Sequence, residues 1–315
     1  MSNQNDSFLE DKDFSSLVKK ARRKSMTKNI LISIIVFIGL SFTLYLLGSI
    51  VMQKKIDKDS LQDGAWQQII GANVEGAGTH YHYKPFTASA TTHFWKHVGD
   101  VPVPWGSEEK VFTVFGTTQL IVTERTSAMG KVDDERIPFY FNGKRVIEFF
   151  HPAIDYKRLV DERPLLDEID EHKLVEFAFS FDKPYTIQDV QKHFSDHLAW
   201  YWVDTFSPNE LSNVDSESMT IMGDSAIGFQ HNDSTVDPSL DFITWIEWLM
   251  ENGGNEQKEA EKLYSNITGK DSATFSPSDL KIIGVVVTGT PTELKIYNNV
   301  SFIKAAILGA TVDKY

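Results

Sequence analysis

Residues 174–206 read LVEFAFSFDKPYTIQDVQKHFSDHLAWYWVDTF, and the fold follows from how that stretch divides. Leu174–Phe181 is rich in aromatic and branched residues and predicts a strand. Thr186 to Leu198 predicts a helix, with Thr186 as its N-cap and Asp189 three residues on in an acidic first turn. Ala199–Phe206 predicts a second strand, and Asp182-Lys183-Pro184-Tyr185 leads from the first strand into the helix. Strand, helix, strand is the opening half of a layered α+β unit.

The pattern continues toward the C-terminus. Thr220–Phe229 reads as a strand. Ser239 begins a helix whose Phe242, Trp245, Ile246, Trp248 and Leu249 fall at spacings of three and four and predict one buried face. Gly253-Gly254 breaks it, and Gln257–Ile267 reads as a further helix. Leu280–Val287 is the strongest strand in the chain, Pro291–Tyr297 a short helix and Phe302–Leu308 a last strand. The aromatic group Trp200, Tyr201, Trp202 and Phe206 suits either a ligand platform or core. Strand alternation puts Trp200 and Trp202 on one face, which favours core for at least half of it.

Toward the N-terminus the pattern weakens. Residues 151–173 form a charged connector. Val111–Phe115 and Gln119–Thr123 read as one hairpin, and Pro138–Phe141 and Arg145–Phe150 as another around Asn142-Gly143. Gly71 to Gly106 is Gly- and aromatic-rich, and Ala65 to Ile70 predicts the start of a short amphipathic helix.

From Asn29 to Gln53 no residue is charged, and Ile30 to Met52 is almost wholly apolar, enough for the ~20 residues a bilayer core requires of a helix. A buried core helix is seldom this long without a charge. A cleaved signal peptide has a shorter apolar region ending in small residues, whereas this run ends in Gln53, Lys54, Lys55, so a retained anchor is expected. Seven basic residues precede the span (Lys12, Lys19, Lys20, Arg22, Arg23, Lys24, Lys28), and only Lys54, Lys55 and Lys58 follow it closely, among aspartates. Basic residues favour the cytoplasmic side, which predicts a cell-membrane, single-pass protein with a cytoplasmic N-terminus and extracytoplasmic C-terminal domains. The predicted class is α+β, a single N-terminal transmembrane helix followed by two extracytoplasmic α+β domains. Its divisions are a cytoplasmic tail at 1–28, a transmembrane helix at 29–52, a first outer domain at 53–162 and a second at 163–315.

Composition narrows the chemistry. The chain has 315 residues, no cysteine and a net charge of -13. Thiol nucleophiles, disulfides and thiolate metal sites are excluded, and direct nucleic-acid binding by the bulk of the protein is disfavoured. His80 and His82 would share a strand face, and His93 and His97 are helically spaced, but no acidic ligand lies between them and each has aromatic neighbours. The Ser-x-x-Lys pattern recurs at unrelated places, Ser25–Lys28, Ser180–Lys183, Ser278–Lys281 and Ser301–Lys304 among them, without its companion motifs, and Gly223 to Gly228 is one residue off a nucleophile elbow. These readings give no catalytic residue, metal or cofactor, and the protein is expected not to be an enzyme.

In the tail, Phe14, Leu17, Val18 and Ala21 lie at i, i+3, i+4 and i+7, one face of a helix, with Arg22 and Arg23 among the basic residues on other faces. Both a groove on a partner protein and an anionic lipid surface suit such a helix.

The stretch Val175 to Phe206 resembles the C-terminal domain of the sigma factor regulator family of Gram-positive bacteria. The basic tail ending Lys-Lys-Ala-Arg-Arg-Lys-Ser (Lys19–Ser25), the span and Val-Pro-Val-Pro-Trp-Gly (Val101–Gly106) are similar to that family's N-terminal companion domain. The resemblance implies a membrane-anchored anti-sigma factor. Its tail, through Phe14, Leu17, Val18, Ala21, Arg22 and Arg23, would hold an extracytoplasmic-function sigma factor, and its outer domains would sense envelope state. Zinc-binding anti-sigma domains use cysteines that this chain lacks, and a tail of about 28 residues is short for wrapping a sigma factor, which leaves room for a membrane co-regulator. The alternative reading is an extracytoplasmic binding or envelope-assembly module with no transcriptional role.

Overall fold

The computed structural model describes residues 5–123, 131–132, 135–136, 138–212, 220–232, 237–269 and 274–314. One helix, α1 (Asn5–Gln67), runs for 63 residues, about 95 Å at 1.5 Å per residue. The tail from residue 5, the apolar run and the charged stalk are therefore one continuous rod; residues 1–4 of the tail lie outside the described residues. Ala65 to Ile70 holds the end of this helix and not the beginning of another: α1 stops at Gln67, and Ala65 and Ile69 are buried against the rest of the protein. The most apolar 18-residue window of α1 has no buried residue.

After α1 come β1 (Glu75–Tyr83), β2 (Thr87–Val98), β3 (Val101–Thr113) and β4 (Thr118–Thr123), which form an antiparallel meander in chain order. Much of this lies in the stretch from Gly71 to Gly106, to which the sequence pattern assigns no element. Pro102 and Pro104 obscure β3. They are tolerated because, among the described residues, β4 pairs with β3 from Phe112 to Glu108 and residues 101–106 have a strand neighbour on one side alone. His93 and His97 are on β2, paired with Ser107 and Pro102, so their spacing is that of a strand and not of a helix.

Five two-residue strands follow the meander or return to it: β5 (Lys131–Val132) with β6 (Glu135–Arg136), β7 (Tyr140–Phe141) with β8 (Lys144–Arg145), and β9 (Glu148–Phe149). The turn between β7 and β8 is the expected Asn142-Gly143, with φ of 46° and 74°, the positive pair that a two-residue hairpin turn requires.

The C-terminal unit comprises β10 (Lys173–Tyr185), α2 (Ile187–Phe194), β11 (Leu198–Val203), α3 (Pro208–Ser212), β12 (Ile221–Met222), β13 (Gly228–Gln230), α4 (Pro238–Asn252), α5 (Gln257–Thr268), β14 (Ile282–Gly289), α6 (Pro291–Leu294) and β15 (Ile303–Asp313). The stretch read as one strand at Thr220–Phe229 is divided into β12, which pairs with β9, and β13 by a tight turn at Gly223–Ser225. The main sheet has the order β13-β11-β14-β10-β15, every pair antiparallel. β10 and β11 are joined through α2 with β14 inserted between them, and β14 and β15 are joined through α6 with β10 between them. These are two interleaved split βαβ units, the ferredoxin-like arrangement, with β13 added at one edge and the α4–α5 pair inserted before β14.

Strand alternation sorts the core. Val175, Phe177, Phe179 and Phe181 of β10 face a layer built from α2, α4, α5 and α6, with Phe194, Phe242, Ile246, Leu263, Leu294 and Tyr297 among its buried members. On α4 the buried stripe is Phe242, Ile243, Ile246 and Leu249; Trp245 and Trp248 flank it half-exposed, so Trp245 is less central than its spacing suggests. The opposite sheet face carries Trp200, Trp202, Ile283, Val286 and Ile307 and is covered by Ile147, Phe149 and Phe150. Trp200, Tyr201 and Trp202 are all buried, so these aromatics are core on both faces and form no exposed platform. A third cluster joins Val98, Val103 and Trp105 of the meander to Leu174 and Ala310 of the main sheet. A fourth seats Met52 and Ile56 of α1 against Ala88, Ala90, Phe112 and Val114 of the meander.

Candidate partner-binding surface

The residues singled out in the tail are on the first turns of α1. Phe14, Leu17 and Val18 are 69%, 64% and 50% exposed, and Ala21, Arg22 and Arg23 are exposed beside them. Helical geometry stacks Phe14, Leu17, Val18 and Ala21 on one face. Arg22 and Arg23 follow Ala21 directly and turn away from its centre. The arrangement offers an apolar stripe with cationic margins to whatever lies alongside it, and it has no concavity of its own.

At the other end, α1 is joined to the fold. Gly71 and Ala72 donate backbone hydrogen bonds to the carbonyls of Ala226 and Gly223 (3.0 and 2.8 Å), and Gly228 N–H donates to Ile69 O (2.9 Å). Gln62 bonds to the carbonyl of Asn252 at the end of α4. Above this junction Lys110 lies among carboxylates: its ammonium donates to Asp63 and is 3.5 Å from Glu108. Burial raises the Asp59 carboxyl above its usual range, and the negative charge of Asp63 adds to the effect. Glu256 is raised for the same two reasons in the same order. Burial acts to lower the Lys110 ammonium, but the hydrogen bond and charge of Asp63 leave it raised overall.

The polar groups inside the fold are structural clips. His151 accepts a hydrogen bond from Ala153 N–H at Nδ1 (3.2 Å), which leaves Nε2 facing Asp204 Oδ1 at 3.3 Å. Lys304 reaches the carbonyls of Pro152 and Ile154 (3.0 and 2.8 Å), and burial lowers its ammonium. Together they fasten residues 151–154 onto the sheet. His80 and His93 meet edge to face with centroids 5.8 Å apart, and His97 is 3.7 Å from Glu75. Among the described residues no three His, Asp or Glu side chains come together in a way that would hold a metal ion.

Among the described residues one helix is long and apolar enough to cross a membrane, and it carries an α+β region with a split βαβ sheet. Residues 166–310 match the family described as sigma factor regulator C-terminal, a regulatory rather than an enzymatic class. The match begins just before β10 and ends within β15, so it takes in the main sheet but for the end of its last strand, together with its helices, and supports the family on just under half of the chain. No curated protein and no solved structure matches the chain.

Proposed function

We propose that this protein is a membrane-anchored anti-sigma factor. The observation that carries the reading is the match of residues 166–310 to the sigma factor regulator C-terminal family. In this proposal the cytoplasmic partner is an extracytoplasmic-function sigma factor, held by the exposed face Phe14, Leu17, Val18 and Ala21, with Arg22 and Arg23 at its margin. Residues 53–162 and 163–315 are the outer domains, and they report envelope state to the tail. A membrane co-regulator shares the sigma contact, and anionic lipid takes the basic margin of the tail when sigma is released. The tail has no core of its own, so binding is the docking of a single helix into a partner groove, and apolar contact dominates it.

The test is sigma-dependent transcription in cells, measured beside co-purification of the sigma factor. Leu17→Asp or Phe14→Asp places a carboxylate in a desolvated groove and should nearly abolish capture while derepressing the promoter. Replacing Lys19, Lys20 and Lys24 by Gln should weaken capture less, with an effect that shrinks as salt rises. An unchanged promoter with Leu17→Asp at normal protein level would sink direct sequestration.

A further inference from the structure

The meander does not begin beyond the apolar run; it overlaps it. Tyr45, Gly48, Ser49, Met52 and Ile56 form the stripe of α1 that is wholly or partly covered, and the first four lie inside the uncharged segment from Asn29 to Gln53. Met52 and Ile56 pack on Ala88, Ala90, Phe112 and Val114, and the Tyr45 ring meets Phe86 edge to face at 5.6 Å. A β-carbon added to Gly48 would lie 2.5 Å from Val114 O, so the absence of a side chain there lets the turn between β3 and β4 come flush with the helix. Tyr45 to Met52 spans about 10 Å of helix. The two loops at this end of the meander therefore lie level with the last two turns of the span.

The side chains on those loops are the wrong ones for water. Phe115 is 84% exposed and Phe86 58%, with Tyr83 exposed beside them. Turns ordinarily carry Gly, Asn, Asp or Ser at such positions. Lys54 and Lys84 are exposed nearby, where an ammonium can reach lipid phosphates while its stem lies along apolar surface. The backbone is equally suited to a dry environment. Thr113 N–H donates to Thr117 O, Val114 N–H to Phe86 O and Gly116 N–H to Thr113 O, all at 3.0 Å. Phe115 and Thr117 N–H both donate to Thr113 Oγ1 at 3.3 Å. Lys55 donates to Gly116 O at 2.9 Å. All five N–H groups from residue 113 to 117 thus have partners within the protein, so this loop brings no unpaired backbone donor where water is scarce.

From this geometry we infer that the β1–β2 and β3–β4 loops are a second membrane contact, inserting Phe86 and Phe115 beside Tyr45 into the leaflet that α1 leaves, with Tyr83 at headgroup level. The meander is then seated on the bilayer, and α1 is held at a fixed rotation about its axis. The inference rests on α1 crossing the membrane, but not on which partner the tail binds.

The absence of native cysteine makes the test direct. Single cysteines replace Phe115, Phe86, Ile35 within the apolar run, and Ile296, which is exposed on the main-sheet unit. Each full-length variant is labelled with an environment-sensitive nitrobenzoxadiazole probe. One chain per nanodisc is assembled in phosphatidylglycerol and phosphatidylethanolamine, with or without a nitroxide high on the acyl chain. The Phe115→Cys and Phe86→Cys probes should emit to the blue of Ile296→Cys, lose most of their emission to the nitroxide and resist aqueous iodide. Iodide quenching of Phe115→Cys equal to that of Ile296→Cys overturns the inference. Protection from iodide without nitroxide quenching also overturns it, because protein and not lipid would then cover the tip. If Ile35→Cys escapes the nitroxide, the span itself is wrong and the seating falls with it. Quenching at Ile35 alone leaves the span and the sigma proposal standing and removes only the seating.

Discussion

Glu176 has the position of a surface residue and the surroundings of a core one. In Val175-Glu176-Phe177, alternation turns it away from the helical layer, toward a face that a two-layer reading would leave in water. The meander covers that face, and Glu176 and Lys96 are 0% and 1% exposed. The carboxylate accepts from Lys96 Nζ (3.0 and 3.2 Å), Asn73 Nδ2 (3.0 Å) and Ala310 N–H (3.2 Å), and Lys96 lies 4.2 Å above the Trp105 ring. A buried pair contributes little net stability, but removing one member strands the other. Lys96→Met should lower unfolding stability by about 3–5 kcal/mol. Glu176→Gln added to Lys96→Met should recover part of that loss, since the amide oxygen still accepts while the unpaired charge is gone. Chemical denaturation in detergent measures both, and additive losses would refute the pairing. A second test at this scale concerns Glu210. Burial works against its charged form, but hydrogen bonds from Lys262 and from the backbone and hydroxyl of Ser207 bring its carboxyl down to about 2. The depressed value means that its stabilising contribution is complete above the ordinary carboxylate range near 4.5 and fades as pH falls toward 2. The Tm gap between wild type and Glu210→Gln should close over that interval; a constant gap would mean that the charge does not matter to the fold.

Among elements, the C-terminal half was legible because propensity, capping and burial agree there. Thr186 caps α2 by accepting from Asp189 N–H at 3.2 Å, as its sequence signature indicates, and Thr290 and Glu293 form a reciprocal capping box at α6. The meander was less legible because its signals conflict: prolines interrupt β3, glycines weaken β1, and β2 carries histidines at a spacing that a helix also satisfies. The stalk was hidden for another reason. Its charges look like a linker, and only the meander reveals that Met52 and Ile56 form a covered stripe. On α4 the distinction between buried and flanking positions gives a prediction. Phe242→Ala should cost about 3–5 kcal/mol. Trp245→Ala should cost roughly half as much, because the indole retains water contact in the native state. Guanidinium unfolding of the two variants decides, and equal losses would mean that α4 packs deeper than its exposure pattern implies.

At the scale of the molecule, the clusters make a chain of support from the span outward: α1 holds the meander at Met52 and Ile56, the meander meets the main sheet at Val98, Trp105 and Leu174, and the sheet carries the family-matched unit. The tail face is outside this chain, and its exposed Phe14, Leu17 and Val18 make no internal contact that would specify a partner. Which side of the membrane the supported end occupies follows from charge and not from packing. Seven basic residues precede the apolar run, and after it lysines alternate with aspartates through the stalk. Basic residues in short flanking segments set orientation by resisting translocation, whereas acidic residues contribute little, so Asp57, Asp59 and Asp63 do not offset the tail. The prediction is an N-terminus in the cytoplasm. Alkaline phosphatase fused after Tyr315 should be active, and a reporter that works only in the cytoplasm should be silent at the same point. Exchanging the bias, by Gln at Lys19, Lys20, Arg22, Arg23 and Lys24 with Lys at Asp57 and Asp59, should move part of the population to the opposite orientation. Cytoplasmic activity after Tyr315 in the unaltered chain would place the tail outside. The face of Phe14, Leu17, Val18 and Ala21 could then never meet a sigma factor, whatever its affinity in a test tube.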